Sequence, residues 1–169
     1  MVSAIGRTAR VNVMLRGISK SEGFFVIWDK HNPYTIMLLV DSSDIDELGH
    51  VNNAAYVRWL ERCAWRHSES LGLGVAEYKT LDRAMVVLRH EIDYLAAAYL
   101  NDEVMVATWI VTSDNKLRLT RHFQILRPSD QTTLLRARSN FVCIELTSGK
   151  ARRMPDIFVE TYGKAITIS

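Results

Sequence analysis

Residues 54–74 read Ala-Ala-Tyr-Val-Arg-Trp-Leu-Glu-Arg-Cys-Ala-Trp-Arg-His-Ser-Glu-Ser-Leu-Gly-Leu-Gly, and the architecture turns on this stretch. Tyr56, Leu60, Cys63, Ala64 and Leu71 recur at three- and four-residue steps, while Arg58, Arg62, Arg66 and Glu69 fall elsewhere. That spacing predicts one long amphipathic helix, stopped by Gly72 and Gly74. On its N-terminal side, Asp41 to Asn53 is polar and ends in paired asparagines, the composition of a loop closing in a helix cap. Before the loop, Tyr34 to Val40 is β-branched or apolar, as in a buried strand.

On the C-terminal side the period changes to two. Val86, Leu88, His90, Ile92 and Tyr94 mark one face of a strand, and Val87, Arg89, Glu91, Asp93 and Leu95 the other. His90 then reads as a core histidine. Three more strand-like runs follow, Val104–Val111, Leu117–Leu126 and Leu134–Leu146. Asn101-Asp102, Ser113-Asp114-Asn115 and Pro128-Ser129-Asp130 mark the turns. Pro155 suits the start of a final short helix. One strand, one long helix and four strands with hairpin-length links predict an α+β domain, a curved antiparallel sheet wrapped around one helix. Val104–Val111 is apolar on both faces, so its outer face needs a cover. A partner subunit supplies it most simply, giving a homodimer or a dimer of dimers.

A chain of 169 residues with 48% hydrophobic and 24% charged residues suits one globular domain with short tails. The formal charge of +2 gives no basis for a nucleic-acid partner. Cys63 and Cys143 lack ligand or disulfide spacing, so no metal site and no cofactor is implied. No apolar run approaches the roughly 20 residues of a membrane span. Arg7, Arg10, Arg16 and Lys20 precede the first acid, Glu22, which resembles an organellar presequence over residues 1–20. No cleavage motif accompanies them, and a cytoplasmic protein with an N-terminal extension over 1–25 and a domain over 26–169 is the reading taken.

The chemistry gathers in Asp44-Ile45-Asp46-Glu47-Leu48-Gly49-His50-Val51-Asn52-Asn53-Ala54-Ala55-Tyr56. This places a carboxylate and a histidine in a loop that ends where a long helix begins. A helix N-terminus offers unpaired N–H groups and partial positive charge. Such donors polarise a carbonyl and stabilise an oxyanion, while a nearby carboxylate attacks directly or activates water. Asp46 also fits a plain turn residue. Asp44 shares the local chemistry, but the spacing to His50 favours Asp46.

The run Asp46-x-x-Gly49-His50-Val51-Asn52-Asn53-Ala54-x-Tyr56, followed by Leu60-Glu61-Arg62, resembles the 4-hydroxybenzoyl-CoA thioesterase superfamily. The stretch Phe141 to Leu146, with Thr147-Ser148-Gly149-Lys150-Ala151 after it, resembles the bacterial long-chain acyl-CoA thioesterase III group. The likeness runs from about Tyr34 to Gly163 and finds no counterpart for residues 1–25. It implies a hot-dog fold and hydrolysis of fatty acyl-CoA to free acid and CoA. Asp46 then stands as nucleophile or general base, and Asn53 supplies the N–H that binds the thioester oxygen. His50 matches a histidine of the acyl-ACP branch, although Leu48 stands where plant enzymes of that branch carry Asn. Glu61 matches a helix glutamate that is the catalytic carboxylate where the loop Asp is missing. Glu61 is otherwise a surface residue paired with Arg58 or Arg62.

Gly49, Asn52 and Tyr56 complete the substrate-contacting motif. Arg136, Arg138, Lys150, Arg152 and Arg153 form a basic set; Arg136 and Arg152 are taken as contacts for CoA phosphates, or for an acidic acyl carrier protein. A solvated charged edge that blocks strand aggregation explains the same set equally well. A non-catalytic acyl-binding module of the same fold is the alternative outside enzymology.

Overall fold

The computed structural model describes residues 27–167, so the N-terminal extension and its presequence-like charges lie outside the described residues. Five strands form one antiparallel sheet in the order β1-β3-β4-β5-β2: β1 (Tyr34–Leu39), β2 (Arg83–Tyr94), β3 (Glu103–Ser113), β4 (Arg118–Arg127) and β5 (Thr132–Glu145). Helix α1 (Asn53–Ser70) packs on one face. Pro155 is the N-cap of α3 (Asp156–Lys164), which closes the chain's fold. The α+β reading therefore holds, with β1, the long helix, four later strands and the final helix near their expected places.

Three local expectations change. A second helix, α2 (Val75–Leu81), follows directly on Gly74, and its side chain-to-backbone support comes from Glu77, which accepts the Gly74 N–H at 3.0 Å. The link from β2 to β3 is not a hairpin, because β2 lies at the far edge beside β5. Residues 95–102 instead cross the end of the sheet, held where Ala98 accepts the Val51 N–H at 2.9 Å and donates its own to Tyr56 Oη at 3.0 Å. Finally, β2 carries a bulge between Val87 and Arg89, with Val87 opposite Phe141 and Arg89 opposite Asn140. The extra residue inverts the alternation, so Met85 and Val87, not Val86 and Leu88, share the core face with His90, Ile92 and Tyr94.

The outer face of β3 is covered by this chain itself. Trp109 donates its indole N–H to the His31 carbonyl at 3.0 Å and meets Trp28 edge-on at 6.2 Å. Gln124 on β4 accepts the Asp29 N–H at 2.9 Å. The apolar outer face of β3 is thus no evidence for a partner subunit.

The core falls into two clusters. One lies under the first half of α1 and includes Tyr56, Trp59, Leu60, Val104, Val106 and Leu135. The other joins α2 and α3 to the far end of the sheet through Tyr78, Met85, Leu119, Phe141, Phe158 and Tyr162. A cavity separates them.

Candidate active site

The loop before α1 is a small hairpin. Asp41 accepts from Ser43 N at 2.7 Å and starts a 3-10 turn at Ser42–Asp44; Ile45 then pairs antiparallel with Val51. Asp46 N–H donates to the His50 carbonyl at 2.9 Å, and Gly49 N–H to the Asp46 carbonyl at 3.0 Å. Gly49 sits at φ +82°, the left-handed region where a Cβ is costly, which is the structural reason for glycine here. Asp46 Oδ1 accepts the Leu48 N–H at 2.9 Å, and Oδ2 lies 3.6 Å from His50 Nδ1. The turn function and an available carboxylate oxygen therefore coexist in one residue. Asp44 is different. It is buried, its Oδ1 holds Arg58 at 3.0 Å, and its carbonyl accepts the Asn52 N–H at 2.8 Å, so it ties the hairpin to α1.

The second arm of the hairpin runs straight into the cap. Asn52 Oδ1 accepts the Ala54 N–H at 2.8 Å, and the Asn52 carbonyl takes that of Ala55 at 2.9 Å. The Asn53 N–H finds no acceptor among the described residues. One amide is thus left open at the positive end of an 18-residue helix, the arrangement that receives oxyanions. Tyr94 of β2 reaches the Asn53 carbonyl from the other side through a long contact of 3.4 Å.

Between α1, β2 and the middle strands lies an apolar cavity of about 410 Å³. Its α1 wall is the stripe Val57, Leu60, Glu61, Ala64, Trp65 and Ser68. Asn53 sits four residues before Val57 and Glu61 four after it, so the open amide begins the same helical face. Asp46, His50 and Asn53 themselves do not line the cavity; Glu61 and His90 do. His90 is exposed, and its Nδ1 lies 2.7 Å from Ser139 Oγ. Burial lowers its pKa, opposed by the charge of Glu61. His90 is therefore a cavity-wall residue, not a core histidine. Alternation gave the correct face for His90 but not the cavity on it.

The remaining candidates are spread out. Tyr56 is buried and spends its hydroxyl on Ala98. Arg136 alternates with the core residues Leu135 and Ala137, so it lies on the sheet face away from α1, where a two-pronged pair with Asp29 at 2.7 and 2.9 Å holds it. That pairing lowers the Asp29 pKa. Arg152 lies 3.6 Å from Glu145 at the exit of β5. Neither arginine reaches the cavity. Cys63 and Cys143 are buried, and burial raises their thiols to about 12 and about 11, which keeps them protonated. Of the cavity groups, His90 was read only as a core residue and Arg121 was not singled out. Arg121 had a signal, since it interrupts the apolar series Leu117, Leu119, Phe123 and Ile125 at period two.

The family model of the thioesterase-like superfamily matches residues 40–161, from just after β1 to α3. The chain belongs to this superfamily. The thioesterase is 30% identical over 110 residues to the long-chain acyl-CoA thioesterase FadM of Escherichia coli K12, covering 63% of this chain and 80% of that protein. Its fold is shared with a Staphylococcus aureus protein solved in complex with CoA, at TM-score 0.73 and 24% identity over 82% of this chain and 89% of the other. It is also shared with a 1,4-dihydroxy-2-naphthoyl-CoA thioesterase from Synechocystis, at TM-score 0.70 and 21% identity over 78% and 96%. The sheet packed on one long helix is thus the hot-dog fold, and the protein is a thioester hydrolase. No helix of the described residues is long and apolar enough to cross a membrane.

Proposed function

We propose that the protein hydrolyses fatty acyl-CoA to free acid and CoA, with Asp46 as nucleophile or general base and the Asn53 N–H as the oxyanion donor. The observation that carries this reading is the hairpin at Ile45–Val51. It holds a carboxylate one residue beyond a backbone bridge whose other arm leads directly to an uncapped amide. Attack on the thioester carbonyl puts negative charge on its oxygen, and a preorganised helix-end N–H stabilises that charge without solvent reorganisation. His50 steadies the free Asp46 oxygen, and Gly49 and Asn52 fix the turn and the cap. The acyl chain enters the cavity along the Val57 to Ser68 face. The FadM relative supports CoA as the carrier.

A second reading is favoured by one observation: Glu61 lines the cavity and Asp46 does not. In that case Glu61, beside His90, supplies or orients the water. The carrier is decided by presenting one acyl chain on CoA and on acyl carrier protein, with released thiol as readout. Faster release from CoA supports the proposal, and release from the carrier protein alone contradicts it. Glu61→Gln separates the two carboxylates, because the Asp46 reading predicts a loss of about tenfold or less and the Glu61 reading a loss above about a hundredfold.

The protein is further proposed to be a homodimer joined along β2. This strand is a sheet edge with a row of open backbone groups, and Val87, Leu88, Tyr94 and Leu95 are exposed there. Pairing with a second copy would cover them and close the cavity mouth.

A further inference from the structure

At the end of the cavity farthest from Asn53 lies a buried cation. Arg121 is only 2% exposed, and it lies on the α1 face of β4 with Leu119 and Phe123, all three lining the cavity. Its Nη1 donates to His67 Nδ1 at 2.9 Å and its Nη2 to Ser68 Oγ at 3.0 Å. Ser68 Oγ in turn lies 3.1 Å from Tyr162 Oη, which is bonded to Tyr78 Oη, and the guanidinium lies over the Tyr162 ring at 5.9 Å. Ser68, Tyr78 and Tyr162 also line the cavity.

None of these partners is a carboxylate. Burial and the adjacent guanidinium hold His67 down to about 3, so it accepts without carrying charge. Burial raises the Tyr78 hydroxyl and keeps it protonated. No carboxylate among the described residues forms an ion pair with Arg121. A buried charge is ordinarily paired with an opposite one. Here a largely apolar cavity, with Glu61 and His90 on its wall, ends in a cation without a carboxylate partner, flanked by three hydroxyl groups, a receptor for an anionic oxygen. Holding a plain alkyl chain requires none of these groups.

We infer that the acyl group this enzyme accepts best carries a carboxylate at its distal end, bound by Arg121 with Ser68, Tyr78 and Tyr162. The site thus selects monothioesters of dicarboxylic acids over methyl-ended fatty acyl groups of equal length. Along α1, Asn53 and Ser68 are separated by roughly 22 Å at 1.5 Å per residue, so an extended long chain spans from the reacting carbonyl to the guanidinium.

This inference rests on the thioester-hydrolase reading of the same cavity, and a binding measurement keeps the two apart. S-(ω-carboxyalkyl)-CoA and S-alkyl-CoA thioethers, matched in length from hexyl to octadecyl, cannot be hydrolysed. Their affinities for the full chain are read by calorimetry. The carboxylate-ended series is expected to bind at least about tenfold more tightly at its best length, as a charge-assisted bond in a dry site allows. In Arg121→Met that preference should vanish, while Arg121→Lys retains part of it. Equal or weaker binding of the carboxylate-ended series to the wild type overturns the inference, as does failure of that series to bind. The wild-type comparison stands even where Arg121→Met does not fold. Absence of turnover with acyl-CoA would instead strike the proposed function and leave this comparison intact.

Discussion

Asp46 spends one carboxylate oxygen on the turn that holds it and turns the other toward His50. Such a residue is pinned by its own chain and needs no distant support to be aimed. The residues around Arg121 show the opposite design, a polar cluster gathered from α1, α2, α3 and β4. Its weak point is His67. In the unfolded chain this imidazole titrates near 6.5, but in the fold near about 3. Between those values the unfolded state binds more protons, so the stability that depends on neutral His67 is complete above about pH 6.5 and is lost as the pH falls toward 3. Urea unfolding at pH 7 and pH 5 should show wild type losing up to about 2 kcal/mol more than His67→Gln. Equal losses in both proteins would contradict the assignment. At this scale the sequence was half legible. The spacing of Asp46, His50 and Asn53 fell inside one contiguous run, whereas His90 and Arg121 reach the cavity only through tertiary packing.

The central element is the start of α1, where hairpin, cap and open amide meet. Asn52→Ala removes the acceptor for the Ala54 N–H and should cost about 1 kcal/mol of stability. It should also lower kcat more than it raises KM, because the cap fixes the Asn53 N–H proposed as the transition-state donor. Chemical denaturation together with steady-state kinetics tests both, and an unchanged kcat would detach the cap from catalysis. The long helix was readable because its apolar residues keep one period for five turns. Helix α2 was not, since Val75–Leu81 spans only two turns between Gly74 and Asp82 and offers too little periodicity. The bulge at Val87/Arg89 left no mark either, because Val86, Val87 and Leu88 are all apolar and either phase fits. The β2-to-β3 link misled for a related reason: eight residues suit a hairpin by length, and only the bonds of Ala98 show the crossing.

For the whole molecule, β1 and β2 are the two edges of the sheet among the described residues. Trp28 and His31 of the same chain cover the outer face of β3, while β2 exposes Leu88 at 54% and Tyr94 at 45%. Sedimentation at micromolar concentration should give a dimer for the wild type and a monomer for Leu88→Lys, which places a charge on the bulge. A monomeric wild type would contradict pairing along β2. Apolarity on both faces of β3 was a correct reading with a wrong consequence, since sequence period identifies a covered face but not what covers it.

The proposed hydrolysis depends above all on Asp46 acting on a thioester at the helix end. Single-turnover hydrolysis of a bound acyl-CoA by Asp46→Asn, beside wild type, measures that step without product release. The variant is expected to keep its fold and its acyl-CoA affinity while the hydrolysis rate falls by more than about a hundredfold. A folded Asp46→Asn protein that hydrolyses the bound acyl-CoA at the wild-type rate would contradict it.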